Sequence, residues 1–562
     1  MPKIQIRKFR GLKDYYFSWG MQPVRGGNAL AVIGRMTNAA IEGTLANMTT
    51  PVAIDYERTG SKAYMLCDNT YLFYSANGIS GWTLATNFST VAGYDNNMIT
   101  DQNDSLLIMH DDYIGVLKGA KDWTANWTPT VYTFTNGTTG VYHPAARVRE
   151  FVIFGDDNII ARYDSSAGTY VAGDFTASAL TLPPGYVTVA LAEKGKTSRK
   201  CYIAANFNKK GYIMEWDTTS ANVTSTTPVG EEVRALVTAE NDRTYAIIGN
   251  GILYDISAYP IVPVFTPPDN EAQLTISDLR SFTANALSTS RRKIYMGYSG
   301  GSSQNRHKAG LWVYDIDSQV GQPLCPISSG DQRVASIKAI KPVEVGIQYR
   351  ILIGSQDASG VGRMDYFNDN SLVNGAFYIS PIVSAPKSIL RGIKFNLTQL
   401  LYGGEENDLS AVIYASYFNF EKSLWRRGIE DTISPTSSKI EIDNGAAVKP
   451  SLGDEITILE KANAGYTRRV IAEDLGSDPN IFTLDSAMSA VVEDAVQMNV
   501  QSFKKLNTTA TTVTKGGEVW IECPDRPEFR NLLIKIEIRL ASGSIPVLSD
   551  LDIIYDRLPD RK

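Results

Sequence analysis

The stretch GLWVYDIDSQ, residues 310–319, ends an alternating apolar run with an aromatic residue and an aspartate. The same ending recurs upstream at Tyr163-Asp164, Trp216-Asp217 and Tyr254-Asp255. At the end of a strand, an aromatic ring can pack between sheets, and an aspartate can accept backbone N–H bonds from the next turn. The recurring pair therefore predicts a repeated structural unit. A catalytic or metal-binding role for these aspartates is the alternative, but identical residues in successive units of a ring do not converge on one point.

Short runs rich in Val, Ile, Tyr and Phe, each followed by turn residues, pair into seven hairpin-like units. Markers in the first strand of each unit are 42 to 56 residues apart, at Tyr64, Leu106, Phe151, Tyr202, Tyr245, Tyr295 and Ile351. A period of ~40–50 residues is typical of β-propeller blades. We therefore predict an all-β chain with a seven-bladed β-propeller. Six to eight blades are compatible with the pattern, because the first and last blades can share strands from both chain ends.

The repeat stops after Asn374, and longer alternating strands follow, of the kind found in β-sandwiches. A compact strand-turn-strand pattern interrupts them, which predicts a small inserted barrel, since surface loops accept whole domains at low cost. The Gly-rich start of the chain predicts a segment that runs along another surface. The predicted domains are a docking arm (1–45), the propeller (46–375), a β-sandwich (376–445 and 510–562) and an inserted small β-barrel (446–509).

Composition excludes several function classes. The 562 residues are 43% hydrophobic and carry a formal net charge of −6 without a basic block, which argues against a surface that grips nucleic acid. The four cysteines, Cys67, Cys201, Cys325 and Cys523, lie far apart with no CxxC pair, so we expect buried thiols rather than a zinc site or disulfides. The charged start and the absence of a ~20-residue apolar run predict synthesis in the cytoplasm and no membrane partner.

Catalytic motifs are missing from the sequence. His110, His143 and His307 are too few and too scattered for a metal site or a Ser-His-Asp arrangement, and no Walker A loop, G-x-S-x-G elbow or dinucleotide fingerprint occurs. We therefore predict no enzymatic activity, no catalytic residues, no cofactor and no metal.

Acidic pairs leave two alternatives open. Asp111-Asp112 and Asp156-Asp157 could hold a cation, although a hairpin turn is the more ordinary interpretation. A glycosidase dyad from Glu231-Glu232 or Glu405-Glu406 is disfavoured, because side chains of adjacent strand residues point to opposite faces. Distant carboxylates could still assemble a polysaccharide-degrading site.

Two tryptophans offer a glycan-binding alternative. Trp123 and Trp127, in KDWTANWTP, lie close enough in sequence to stack together on sugar rings. Packing of both rings between blades is the structural alternative.

Both ends of the chain resemble proteins of bacteriophage tails. The N-terminal IRKFRGLKD is similar to the F-x-G-L-N opening of such proteins, matched at Phe9, Gly11 and Leu12, with Lys13 where Asn is usual. The segment SLGDEITILEKANAGYTRRVIAEDLGSDPNIFTLDSAM resembles a G-D-x-I … R-x-V … I-x-L-D module of tail and baseplate proteins. The closing PEFRNLLIKIEIRLASGSIPVLSDLDIIYD is similar to their final strands.

These stretches resemble the tail nozzle family, also called tail tubular protein B, of short-tailed phages. The resemblance implies a structural virion subunit in a homo-oligomeric, hexameric ring below the tail adaptor or portal-proximal proteins, in contact with tail fibres. Viral DNA would pass through its lumen without specific binding, and Phe9, Gly11 and Leu12 would belong to an assembly arm. A ring protein of a long-tailed phage and a receptor- or glycan-binding tail-tip protein remain alternatives.

Overall fold

A computed structural model gives the fold of the chain. The structure describes the following residues: 2–7, 17–19, 21–24, 29–32, 36–41, 44–45, 47–57, 62–68, 71–85, 97–118, 127–136, 142–195, 198–257, 260–266, 282–299, 310–317, 319–325, 328–329, 334–345, 348–357, 360–367, 376–399, 411–419, 425–428, 439–441, 454–458, 467–473, 481–484, 497–501, 503–506, 510–514, 516–540 and 546–558.

The chain begins with five short strands that do not form a sheet of their own. They are β1 (Lys3–Ile6), β2 (Phe17–Trp19), β3 (Met21–Val24), β4 (Ala29–Val32) and β5 (Thr37–Ile41). The first four join a large sheet built mainly from the other end of the chain, and β5 joins the last blade of a propeller.

Six consecutive four-stranded antiparallel sheets follow, each ordered as its strands occur in the chain. Blade 1 contains β6 (Pro51–Tyr56), β7 (Ala63–Cys67), β8 (Leu72–Ser75) and β9 (Thr83–Leu84). Blade 2 contains β10 (Asn97–Thr100), β11 (Leu106–Met109), β12 (Tyr113–Leu117) and β13 (Trp127–Thr133). Blade 3 contains β14 (Ala145–Val148), β15 (Phe151–Asp156), β16 (Ile159–Asp164) and β17 (Phe175–Thr181).

Blades 4 to 6 repeat the same plan. Blade 4 contains β18 (Val187–Glu193), β19 (Cys201–Phe207), β20 (Lys210–Trp216) and β21 (Ser225–Pro228). Blade 5 contains β22 (Val233–Thr238), β23 (Thr244–Ile248), β24 (Ile252–Asp255) and β25 (Val262–Phe265). Blade 6 contains β26 (Leu287–Ser290), β27 (Lys293–Tyr298), β28 (Gly310–Asp315) and β29 (Val320–Cys325). Two 3-10 turns, Ala172–Asp174 and Ala284–Ala286, lead into β17 and β26.

Blade 7 closes the ring with strands from both parts of the chain. Its strands are β30 (Val334–Val345), β31 (Gln348–Asp357), β32 (Gly362–Phe367) and, outermost, β5, which pairs antiparallel with β32 from Arg363↔Ile41 to Tyr366↔Thr37. The innermost strands of consecutive blades are neighbours, and β30 lies beside β6. The predicted all-β fold with a seven-bladed propeller is therefore confirmed. Each predicted hairpin corresponds to the second and third strands of one blade.

The propeller core lies between the blades. Separate apolar clusters fill the interfaces of blades 7 and 1, 1 and 2, 2 and 3, 3 and 4, and 4 and 5. Polar contacts add to them: the Asp55 carboxylate of blade 1 accepts the Thr100 N–H of blade 2 at 2.6 Å and pairs with Lys341 Nζ of blade 7 at 2.8 Å. Each blade thus covers a face that its neighbour cannot hide alone.

After the propeller the strands become longer and intertwined. They are β33 (Ala376–Ile379), β34 (Val383–Gln399), β35 (Ala411–Asn419), β36 (Trp425–Gly428), β37 (Lys439–Glu441), β38 (Glu455–Ile458), β39 (Thr467–Glu473), β40 (Ile481–Leu484), β41 (Gln497–Gln501), β42 (Lys504–Lys505), β43 (Thr511–Val513), β44 (Gly517–Glu522), β45 (Glu528–Leu540) and β46 (Pro546–Arg557).

Twelve of the described strands form one large sheet along the path β2-β33-β45-β34-β46-β4-β3. On the flanks, β1 pairs with β46, β44 with β34, and β35 with β42, β43 and β45. One apolar cluster runs from blades 5 to 7 into this sheet, and in it Ile534, Ile536 and Ile538 of β45 are fully buried. The two parts of the molecule therefore share a continuous core.

A six-stranded sheet, ordered β36-β41-β38-β39-β40-β37, lies within the second part of the chain. Its described strands begin at Trp425, whereas the predicted insertion begins at residue 446. Likewise, the segment 1–45, predicted as a docking arm, supplies five described strands to sheets of its own chain, because both a propeller and a sheet edge gain stability when an edge strand is paired. Docking of this arm on another subunit stays a prediction.

Cys67, Cys201 and Cys523 are buried free thiols, as expected; the Cys325 side chain lies outside the described residues. In the described part of the chain, no helix has both the length and the hydropathy needed to cross a membrane.

Candidate functional site

The aspartates of the recurring aromatic-Asp pairs bind the turns that follow them. The Asp217 carboxylate accepts the backbone N–H groups of Thr219 at 2.9 Å and Ser220 at 2.7 Å. Hydrogen bonds from Ser220 lower the pKa of Asp217 to about 2. Asp164, Asp255 and Asp315 each accept, at 3.0 Å, the N–H of the residue two positions on. These hydrogen bonds confirm the prediction that each aspartate accepts a backbone N–H from the turn that follows it.

The aromatic partners pack between blades. Tyr163 is fully buried in the cluster between blades 2 and 3, and Trp216 is fully buried in the cluster between blades 3 and 4. The Trp216 Nε1–H also donates to the Ser220 carbonyl at 2.7 Å, across the same turn that Asp217 holds. Each pair therefore joins an interface between blades to a turn.

Blade 1 contains a variant of the pair that the sequence pattern missed. Ser75 follows Tyr74 at the end of the third strand, and its Oγ accepts the N–H groups of Asn77 at 3.3 Å and Gly78 at 3.0 Å. A hydroxyl can replace a carboxylate in such a turn. An aromatic residue followed by Ser, with Gly three residues later, was the available signal.

The closing blade buries an acid. Asp365 on β32 is fully buried and accepts the Ser329 N–H at 3.0 Å and the Ser329 Oγ–H at 2.6 Å. Burial raises the pKa of Asp365 to about 6. Beside it, the Arg363 Nε–H donates to Asp357 at 2.6 Å. The Arg363–Asp357 pair joins β32 to β31, and the Ser329 hydrogen bonds join β32 to the segment between blades 6 and 7.

Two of the acidic pairs make structural contacts through one of their members. The Asp156 carboxylate of blade 3 accepts the Thr135 N–H at 2.8 Å and the Asn136 N–H at 3.1 Å, at the end of blade 2. Glu232 pairs with Arg234 at 2.6 Å, while Glu405 and Glu406 lie outside the described residues. Among the residues with described positions, no group of three or more His, Cys, Asp and Glu could hold a metal ion.

Hydrogen bonds cross the central axis of the propeller at one end. The Tyr142 hydroxyl, just before blade 3, donates to Asn285 Oδ1 at 2.9 Å, just before blade 6. Asn285 Nδ2 donates in turn to the Val52 carbonyl of blade 1 at 3.0 Å. Three blades are thus tied to one another across the ring.

Of the sequence-predicted glycan and arm residues, the structure describes only Trp127. Trp127 is half-buried on β13, and its ring lies over Gly115, where an added Cβ would be 2.3 Å from the ring. Packing between blades is the structural alternative predicted for it, and Trp127 packs against the apolar cluster between blades 1 and 2. Trp123, Phe9, Gly11 and Leu12 lie outside the described residues.

A tryptophan that sequence reasoning missed is exposed on the large sheet. Trp520 on β44 is 46% exposed, and its ring leans over Gly392 of β34. The neighbouring Lys394 pairs with Glu518 on the same face. The alternation EVWIE contained the signal, since it places Trp520 on the face opposite to the buried Val519 and Ile521.

A polar cavity lies on one face of the large sheet, and it is the candidate binding site. In β45, the sequence KIEIR directs Ile536 and Ile538 into the core and the three charged residues to the opposite face. The cavity has a volume of about 130 Å³ and is lined by Tyr414, Ala415, Ser416, Phe503, Lys505, Lys535, Glu537 and Arg539.

Aromatic rings and ion pairs hold the cations of this cavity. Arg539 lies over the Tyr414 ring at 4.8 Å and pairs with Glu537 at 2.5 Å, and Lys505 lies 6.0 Å from the same ring. The buried Lys535 lies 5.0 Å from the Phe503 ring and 3.9 Å from the Asp454 carboxylate. The alternating charges of β45 were the sequence signal for this cavity, but its other walls come from residues 414–416 and 503–505.

Comparison with known proteins shows a likeness of fold only. No family model and no curated protein matches the chain. Among solved structures, Raptor of Chaetomium thermophilum is similar at 13% identity with a TM-score of 0.41, over 61% of this chain and 29% of that one. The WD40 repeats of RRP9 are similar at 9% identity with a TM-score of 0.39, over 58% of this chain and 92% of that one.

Proposed function

We propose that this protein is a non-enzymatic structural subunit of a bacteriophage tail, a nozzle or tail-hub ring that forms part of the DNA exit channel. One observation carries the proposal: the strand that leads into the N-terminal stretch of the family resemblance pairs with the C-terminal stretch in one sheet. Strand β1 pairs with β46 over four residues, and Lys3 and Arg7 both form ion pairs with Asp552. A subunit whose first and last strands are paired in this way can assemble into a ring as a single unit.

The use of the carboxylates supports a structural role. Asp55, Asp156 and Asp217 each accept backbone N–H groups, and Asp55 and Asp156 do so from a neighbouring blade. Groups that are needed to hold turns and blades are not positioned for acid-base chemistry on a substrate. The proposal therefore assigns the protein no catalytic activity and no cofactor.

The proposed subunit is a propeller followed by a β-sandwich that carries a small barrel. In this proposal the twelve-stranded sheet folds over as the sandwich. Support comes from β34, which pairs with β45 over residues 383–389 and with β44 over residues 392–397, because strands that switch partners at irregular positions form the corners of sandwiches. The six-stranded sheet closes as the barrel.

Ring assembly places DNA in a lumen between subunits. The Tyr142–Asn285 hydrogen bond ties blades 3 and 6 to each other across the propeller, so in this proposal DNA passes outside the blades. A net charge of −6 favours sliding of DNA over adhesion. The proposed partners are further copies in a hexamer, a tail adaptor or portal-proximal protein, and tail fibres, all located in the virion.

Mass photometry and electron microscopy of the purified full-length protein test this proposal. We expect rings at about six times the chain mass of 61.6 kDa. A double substitution in the predicted arm, Phe9→Asp with Leu12→Asp, should yield folded monomers. As a matched control, Val187→Asp places the same acidic group at a 44% exposed position of the propeller and should leave rings intact. A protein that stays monomeric at all concentrations and is absent from virions would contradict the proposal.

A second candidate function is a receptor- or glycan-binding tail-tip protein. The half-exposed Trp520 ring favours it, because flat aromatic faces stack on the apolar faces of sugars. A glycan array with wild type and Trp520→Ala is the test. Binding that is lost in this variant would support the second candidate, and no binding by the wild type would remove it.

A further inference from the structure

We propose that the cavity lined by Lys505, Lys535 and Arg539 binds a small free oxyanion of the phosphate type. The proposal does not rest on ring assembly, since phosphate binding can be measured whether or not the subunits associate. It assigns a ligand class to a site that no catalytic or assembly argument uses.

Charge is the first step of the argument. Three cationic side chains and one anionic side chain, Glu537, line the cavity, which leaves an excess of two positive charges. The Asp454 carboxylate lies behind the lining, 3.9 Å from Lys535, and accepts the Phe503 N–H at 3.1 Å. Counting Asp454, the described residues around the cavity leave one positive charge in excess. Lys535 is buried, and positive charge held away from bulk water is costly unless an anion compensates for it.

Lys505, whose side chain is exposed at the cavity, is the cation that supplies this excess. Lys535 faces Asp454 and Arg539 pairs with Glu537, whereas no ion pair within 4.0 Å joins Lys505 to a carboxylate among the described residues. The Tyr414 ring lies next to both Lys505 and Arg539, so it holds the two cations on the same side of the cavity. Two cations that face one volume are suited to the separate oxygens of a single oxyanion.

Size sets the upper limit of the ligand. A volume of about 130 Å³ is several times the ~10–15 Å³ that one water requires. It is well below the ~300–1,000 Å³ of pockets that enclose drug-sized ligands. The cavity therefore fits a tetrahedral oxyanion and excludes a nucleotide or an oligosaccharide. Ser416 and Tyr414 add hydroxyl groups to the lining, and such groups can donate to the remaining oxygens.

The position of the site predicts a measurable consequence. Asp454 directly precedes β38 of the six-stranded sheet, while Lys535 belongs to β45 of the large sheet. A bound anion would compensate the charges at this junction. Phosphate should therefore raise the melting temperature of the protein, and chloride at the same ionic strength should not.

Isothermal titration of inorganic phosphate into the full-length protein, at constant ionic strength, is the test. We expect one saturable site in the wild type and about tenfold weaker binding in Lys505→Gln, since a hydrogen bond to a charged group is lost. Lys504→Gln is the matched control: it removes the same charge from the adjacent residue, which pairs instead with Asp525 at 2.7 Å. Its affinity for phosphate should equal that of the wild type.

A gain of affinity provides a second readout that misfolding cannot produce. Glu537→Gln removes the one anionic side chain of the lining and should strengthen phosphate binding several-fold. Absence of saturable phosphate binding in the wild type would overturn the inference. Equal losses in Lys504→Gln and Lys505→Gln would also overturn it, because they would indicate a general effect of surface charge.

Discussion

The propeller and the twelve-stranded sheet are both antiparallel, but they are assembled from different parts of the chain. The strands of blades 1 to 6 follow one another in sequence, and only blade 7 borrows a distant strand. In the large sheet, Lys3 pairs with Asp552 across 549 residues. The difference shows that a repeated local unit and a sheet formed by distant segments depend on different interactions. Interfaces between blades hold the propeller, whereas pairing of the chain ends holds the sheet.

Matched tryptophans in the two regions should show the largest difference. Trp216 is fully buried between blades 3 and 4, and Trp520 is 46% exposed on the sheet. We expect Trp216→Ala to lower the free energy of unfolding by about 3–5 kcal/mol, because it leaves a cavity at a blade interface. Trp520→Ala should cost less than about 1 kcal/mol. Urea unfolding measures both, and equal losses would break the proposed distinction.

The buried acid of the closing blade should make stability depend on pH. Because burial raises the pKa of Asp365 to about 6, the folded state favours the protonated carboxyl. Its contribution is fully present below the unfolded pKa of about 3.8 and is lost as the pH rises through about 6. A shift of this size corresponds to a loss on the order of 3 kcal/mol.

Melting temperatures between pH 4 and pH 7 check this prediction. Asp365→Asn keeps an uncharged group of the same shape, so its stability should vary less with pH over this window than that of the wild type. Parallel curves for the two proteins would mean that Asp365 does not titrate as described.

The turn after Trp216 should contribute less to the free energy of unfolding than the blade interface in which Trp216 is buried. Asp217→Ala removes the acceptor for the N–H groups of Thr219 and Ser220 and should cost about 1 kcal/mol, the typical value for loss of a side chain that caps backbone donors. Asp217→Asn keeps an acceptor oxygen and should lower the free energy of unfolding by only a few tenths of a kcal/mol. Chemical denaturation distinguishes the two, and a neutral Asp217→Ala would show that the turn forms without its carboxylate.

The Tyr142–Asn285 contact should have a similarly small effect. Tyr142→Phe removes the hydroxyl that donates to Asn285 and should lower the free energy of unfolding by about 0.5–1.5 kcal/mol. Hydrogen exchange should rise at the starts of blades 3 and 6. Unchanged exchange at both places would indicate that the blade interfaces alone fix the ring.

Much of the propeller could be predicted, and the candidate site could not. The hairpin of Phe151–Asp156 and Ile159–Asp164 was visible because its strands are apolar, consecutive and followed by a turn residue. The outer strands, such as Thr83–Leu84 and Ser225–Pro228, escaped notice, because short and exposed strands carry little hydrophobic pattern. The role of Thr37–Ile41 in blade 7 was not assigned either, since nothing in those five residues specifies a partner more than 300 positions away.

The cavity illustrates the same limit. Lys535, Glu537 and Arg539 alternate in one strand, but the walls that turn them into a site come from residues near 415 and 503. Likewise, the sequence left open whether Trp127 stacks on sugar rings or packs inside the propeller. Only the structure shows that its ring lies over Gly115.

The sequence by itself determined the β class, the period of the blades and the role of the aromatic-Asp turns, because each depends on contacts among residues close together in the chain. Tertiary structure alone decided how the ring closes, which strands the two ends share and where charged side chains enclose a cavity. These features depend on pairing between distant segments, and the free energy of such pairing comes from burial and hydrogen bonds that no local pattern encodes.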